Sequence, residues 1–144
     1  GASDGAEVSL RSLSSTLPRG DGEQVLIVDD NEDAARVLSE ALGALGYRAC
    51  TATDGPRALS VADERPPTIA VLDIGLPVMD GYEATKQIKA GIKGKNIKII
   101  ALTASTVEEE RAIIIAAGCD DFLRKPCGEM DIFNLMNKHI GVLY

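Results

Sequence analysis

The stretch Thr68-Ile-Ala-Val-Leu-Asp73-Ile-Gly75-Leu-Pro77-Val-Met-Asp80-Gly81 constrains the fold more than any other part of this chain. Five mostly apolar residues run straight into Asp73. A run this short, with no alternation, reads as a strand covered on both faces, as in a parallel sheet. Asp73 then stands where the strand ends. In open α/β sheets, ligands bind outside the carboxyl ends of the strands. Pro77 and the pair Asp80-Gly81 mark a loop and the start of the next helix. Taken alone, Asp73 is read equally well as a local turn cap, so the remainder of the chain has to decide.

The other segments repeat the theme. Gln24–Val28 is an apolar run ending in Asp29 and Asp30, with Asn31 placed to cap a helix. Ala34, Ala35, Val37, Leu38, Ala41, Leu42 and Leu45 then recur at helical spacing, and Gly46 stops the helix. Tyr47–Ala52 reads as a second strand, and Asp54 caps a helix to about residue 63. After the Asp73 strand come a helix over about 81–90, a loop rich in Gly and Lys over 91–96, and a strand over 97–103 ending in Thr103. Ser105 and Glu108 form a capping box for a helix stopped by Gly118. Residues 121–124 form a fifth strand running into Lys125-Pro126, and a last helix covers about 129–140. Strands and helices therefore alternate, which implies an α/β fold: a doubly wound parallel sheet with helices on both faces and right-handed crossovers.

Residues 1–22 differ. Gly, Ala, Ser and Asp dominate, Pro18 to Gly22 is strong punctuation, and the segment reads as a linker or tag-derived tail before one domain over 23–144. The chain has 144 residues, enough to bury a core without staples. Aromatics make up 3% and Trp is absent, so that core must be aliphatic. A net charge of −7 argues against nucleic-acid binding, which needs basic patches. Cys50, Cys119 and Cys127 are odd in number and lack metal-type spacing, so they read as free thiols in a reducing cytoplasm. No apolar run approaches the roughly 18 residues that would span a membrane. No membrane contact is expected of this chain.

The polar groups converge. Asp29 and Asp30 end strand one, Asp73 strand three, Thr103 strand four and Lys125 strand five, all on one edge of the sheet. Three carboxylates together repel one another unless a hard cation offsets them, and oxygen ligands with high negative charge suit Mg²⁺ or Mn²⁺. A metal, a lysine and a hydroxyl around one carboxylate make a pocket for a phosphoryl group. The plainer alternative is that each group caps its own strand. Complementary groups on four strand ends speak against it.

The motifs Val28-Asp29-Asp30-Asn31, Leu72-Asp73 with Pro77 and Asp80-Gly81, Ala101-Leu-Thr103-Ala104, and Lys125-Pro126 carry a resemblance to the receiver domains of two-component response regulators, over about residues 23–141. The resemblance implies a flavodoxin-like (βα)5 fold with strand order 2-1-3-4-5. It implies that Asp73 accepts a phosphoryl group from a phosphohistidine, and that Asp30, Asp73 and the Gly75 carbonyl hold the metal, with Asp29 acting through water. Lys125 would pair with Asp73 and then with the phosphoryl group, next to a cis bond to Pro126. Thr103 would turn to the phosphoryl oxygen, and Phe122 would be the switch aromatic, unless it is simply core. Such a domain catalyses its own phosphorylation without being a turnover enzyme. Two positions depart from the usual pattern. Gly75 has no side chain to orient water, and Phe122 lacks the hydroxyl that some relatives carry.

Glu83-Ala-Thr, Ala101-Leu-Thr-Ala and Gly118-Cys-Asp-Asp-Phe-Leu-Arg-Lys-Pro look like the receivers of hybrid sensor histidine kinases. That implies a histidine kinase or a histidine phosphotransfer domain as partner, and a cytoplasmic domain whose parent is free to be membrane-anchored. The first helix, with Ala34, Ala35 and Leu38 near the acidic pocket, is the docking face this resemblance implies; the plainer alternative for these three residues is burial in the core. The alternative is a stand-alone regulator that binds a target through its fourth and fifth helices. A phosphatase with an aspartate nucleophile would need a second aspartate where Gly75 stands.

Overall fold

The computed structural model describes residues 20, 22–76, 78–91, 94–104 and 107–139. Pro77, Ser105 and nearly all of the linker-like tail lie outside them. Five strands, β1 Gln24–Val28, β2 Arg48–Ala52, β3 Ile69–Asp73, β4 Lys98–Thr103 and β5 Asp121–Arg124, form one parallel sheet in the order β2-β1-β3-β4-β5. The helices between and after them are α1 Glu32–Ala44, α2 Gly55–Glu64, α3 Gly81–Ala90, α4 Val107–Ala117 and α5 Glu129–His139. The alternation and the strand order both follow the sequence expectation.

Local chemistry explains the helix starts. Asn31, Asp54 and Asp80 each take a backbone N–H of the first turn, from Ala34, Arg57 and Glu83 respectively. Each satisfies a donor that the helix itself cannot, an effect of about 1 kcal/mol. Gly46 and Gly118 end α1 and α4 at φ of +96° and +99°, a conformation that suits only a residue without Cβ. Gly81 answers a different need. A Cβ there would come within 2.6 Å of the Leu72 side chain and of the Ile74 backbone, so α3 packs directly on the end of β3.

β3 is buried along its whole length, as its unbroken apolar run implied. Alternate residues feed two cores. Val25, Ile27, Val71 and Leu102 meet Leu38 and Leu42 of α1 and Ile132, Phe133 and Met136 of α5. On the other face, Leu26, Val28, Leu72 and Ile99 meet Ala58 and Ala62 of α2 and Ala84 and Ile88 of α3. Burying each leucine or isoleucine contributes about 1.5–3 kcal/mol.

Three details depart from the sequence reading. The Gly/Lys-rich loop contains a 3₁₀ turn, Gly94–Asn96. Gly20 and Gly22, inside the stretch read as a linker, donate to the carbonyls of Leu45 and Gly46 and so lie along the turn before β2. Val78 holds φ +69° while 93% exposed. That backbone region strains any β-branched residue.

Candidate functional site

β1 and β3 lie side by side with Val28 opposite Leu72, so the next residues, Asp29 and Asp73, emerge as neighbours at the carboxyl edge. Carboxylate oxygens of Asp29, Asp30 and Asp73 all fall within 4.8 Å of one another. Asp73 is buried, Asp29 half-buried and Asp30 exposed. Asp73 Oδ1 accepts the backbone N–H of Gly75 at 3.0 Å and faces Lys125 Nζ at 3.0 Å. Lys125 follows β5, and its bond to Pro126 is cis, as the resemblance implied.

The charges are out of balance. Burial pushes the Asp29 carboxyl above its usual range, and the charges of Asp73 and Asp30 add to the push. The N–H of Asn31, 2.9 Å from Asp29 Oδ1, and the Lys125 ammonium pull the other way. Three carboxylates gathered together, with one ammonium paired to Asp73, form a donor set that fits a hard divalent cation with oxygen ligands.

Thr103 ends β4 buried, and its Oγ1 donates to Glu110 Oε2 of α4 at 2.8 Å. The phenol of Tyr82, at the start of α3, donates to the same carboxylate oxygen. Burial and the hydrogen bond to Glu110 push that phenol far above its ordinary pKa. Neither Tyr82 nor Glu110 was among the expected residues. Tyr82 sits in a helical pattern where any side chain is tolerated, and Glu110 is one of three successive glutamates, so nothing local singles them out.

The expected residues Asp29, Asp30, Asp73, Gly75 and Lys125 are therefore brought together. Phe122 lies in β5 opposite Ala101, half-buried, and belongs to neither core cluster among the described residues. Ala35 and Leu38 are buried against the sheet, as the core alternative had it, because their positions fall on the inner stripe of α1; Leu38 also lines a groove beside the pocket. Ala34 and Val37 are the apolar residues of that region exposed to solvent.

Comparison with known proteins agrees with this geometry. Residues 25–137 match the family model described as the response regulator receiver domain. The chain belongs to the response regulator receiver domain family. Among curated relatives, the sensor histidine kinase RcsC of Salmonella typhimurium is 35% identical over 83% of this chain, and the response regulator PleD of Caulobacter vibrioides 34% identical over 76%. The receiver spans only 13% of the length of RcsC and 24% of PleD. Among solved structures, the receiver domain of the sensor histidine kinase PA1611 of Pseudomonas aeruginosa superposes with a TM-score of 0.75 at 35% identity, covering 83% of this chain and 98% of that one. Its structure is described with a magnesium ion coordinated in the active-site cleft. The chemotaxis response regulator CheY4 of Vibrio cholerae gives 0.78 at 28% identity, covering 83% and 99%. No described helix of the receiver is long and apolar enough to cross a membrane.

Proposed function

We propose that Asp73 of this receiver takes a phosphoryl group from a phosphohistidine on a partner protein. The observation that carries the reading is the convergence on Asp73: Asp29 and Asp30 within 4.8 Å and Lys125 at 3.0 Å, all at the carboxyl edge of the sheet. An Asp73 carboxylate oxygen attacks phosphorus, the bond from phosphorus to the histidine nitrogen breaks, and its electron pair stays on the imidazole. Asp29, Asp30, Asp73 and the Gly75 carbonyl would hold Mg²⁺, with Mn²⁺ able to replace it; when bound, such a cation offsets negative charge on the transferred group. Lys125 exchanges one anionic partner, the Asp73 oxygen, for another on the phosphoryl group. Gly75 N–H keeps the Asp73 carboxylate oriented.

A groove of about 500 Å³ adjoins the pocket through Asp29 and Lys125. Ala34, Val37 and Leu38 line one wall, and Pro126, Cys127 and Ile132 the other. Its apolar walls beside an acidic centre suit a helix that presents a phosphohistidine, from a histidine phosphotransfer domain or a histidine kinase. The likeness to RcsC and to the PA1611 receiver supports a hybrid sensor histidine kinase as the parent chain.

The test is phosphorylation by acetyl phosphate with Mg²⁺. One phosphoryl group should be added, and Asp73→Asn should abolish the addition. Labelling that persists elsewhere in Asp73→Asn overturns the assignment.

A further inference from the structure

A threonine hydroxyl has one proton to donate. In this structure Thr103 gives it to Glu110, on α4, at 2.8 Å. The acceptor is a carboxylate, and hydrogen bonds to ionised acceptors are stronger than neutral ones. The bond is also sheltered, since Thr103 is 2% exposed. Tyr82 donates to the same oxygen from α3, so the carboxylate is held between two helices and the end of β4. The phenol holds its proton at neutral pH and remains a donor, as any phenol with a pKa of about 10 or higher does.

We propose that Glu110, steadied by Tyr82, is a positioning residue that latches Thr103 and sets how readily its hydroxyl turns to a phosphoryl group on Asp73. This rests on the reading of Asp73 as the phosphoacceptor and adds the residues that oppose the phosphorylated state. Turning Thr103 breaks its bond to Glu110. The loss is felt where Tyr82 and Glu110 join α3 to α4, so phosphorylation at the sheet edge reaches two helices without any movement of Phe122.

Beryllofluoride, a stand-in for the phosphoryl group, tests this in saturating Mg²⁺. Binding is followed by nuclear magnetic resonance in the wild type, Glu110→Gln and Glu110→Asp. Glu110→Gln removes the charge and keeps the shape; Glu110→Asp keeps the charge and withdraws the oxygen. Each should bind beryllofluoride more tightly, by about three- to tenfold, the net scale of one weakened hydrogen bond. Mg²⁺ affinity measured alone should not change, whereas general damage would weaken both. In a Thr103→Ala background the Glu110 substitutions should have no further effect, because the interaction they relieve is gone.

Unchanged or weaker beryllofluoride binding in both variants, or an equal gain without the Thr103 hydroxyl, overturns the latch. Wild-type protein that binds no beryllofluoride overturns the phosphoacceptor reading itself, and the latch with it. The two failures are thus told apart by the wild type alone.

Discussion

Lys125 Nζ and the backbone N–H of Gly75 meet the same oxygen of Asp73, each at 3.0 Å. The ammonium is 40% exposed and the carboxylate only 5%, so the pair is anchored by its acidic partner. With Asp29 and Asp30 beside it, this one ammonium stands against three carboxylates.

The imbalance gives a prediction that weakens with metal. In EDTA, Lys125→Ala should lose about 2 kcal/mol, since it leaves a buried carboxylate without its counter-charge. Asp29→Asn should gain about 2–4 °C in melting temperature, because the amide keeps the Asn31 hydrogen bond without the repulsion. The sign with pH follows from the raised Asp29 pKa. The folded state holds the proton more tightly than the unfolded one, so metal-free stability falls as pH rises from the ordinary carboxylate range through the raised value. Thermal melts across that range should show the fall in the wild type and not in Asp29→Asn. Saturating Mg²⁺ should shrink both mutant effects. Identical shifts with and without Mg²⁺ would count against a metal among these carboxylates.

With Asp73 as the proposed phosphoacceptor, Gly75 is expected to set the lifetime of the phosphoryl group. A glycine two residues after the acceptor offers no side chain to orient attacking water, and orientation supplies much of a hydrolytic rate. Its φ is not left-handed, and a Cβ there would lie 3.7 Å from Asp73 Oδ1, so a side chain can be attached there without backbone strain or a Cβ clash. Gly75→Asn should therefore speed decay of the phosphorylated protein, by about tenfold, in Mg²⁺. A clearly slower variant would mean that open access, not orientation, controls the rate.

Val78 offers a stability gain. Left-handed backbone costs an L-residue about 1–2 kcal/mol, and an exposed valine recovers little by packing. Part of the gain is offset by the larger entropy of glycine in the unfolded chain. Val78→Gly should still raise unfolding free energy by about 0.5–1 kcal/mol in urea titrations. A loss of stability would show that this valine makes contacts that outweigh the strain.

Much of the architecture was legible because β1, β3 and β4 are short apolar runs that end at or just before a polar residue, and three helices begin at an Asn or Asp whose side chain does cap them. Strand ends disclosed Asp29, Asp30, Asp73 and Lys125. Ala35 and Leu38 stayed open between docking face and core because a small residue and a leucine near a helix start fit either face until the helix is set on its sheet. Tyr82, Glu110 and Thr103 come from α3, α4 and β4, and no local pattern announces a meeting between elements 28 residues apart. Val78 was hidden for the opposite reason: local preference predicts against a valine at positive φ, and the surrounding loop overrules it.

Both ends of the described domain lie on the edge of the sheet away from Asp73. Gly22 is bonded to Gly46 just before β1 begins, and the ring of His139, closing α5, stands 3.0 Å from Asp121 at the start of β5. A further domain fused at either end would thus be attached behind the sheet, on the edge opposite the acidic pocket. A fused neighbour would act as a leash. Its length and stiffness, more than any built interface, would set the effective concentration of the pocket around a phosphohistidine on that neighbour, and so the balance between transfer within the chain and transfer to another.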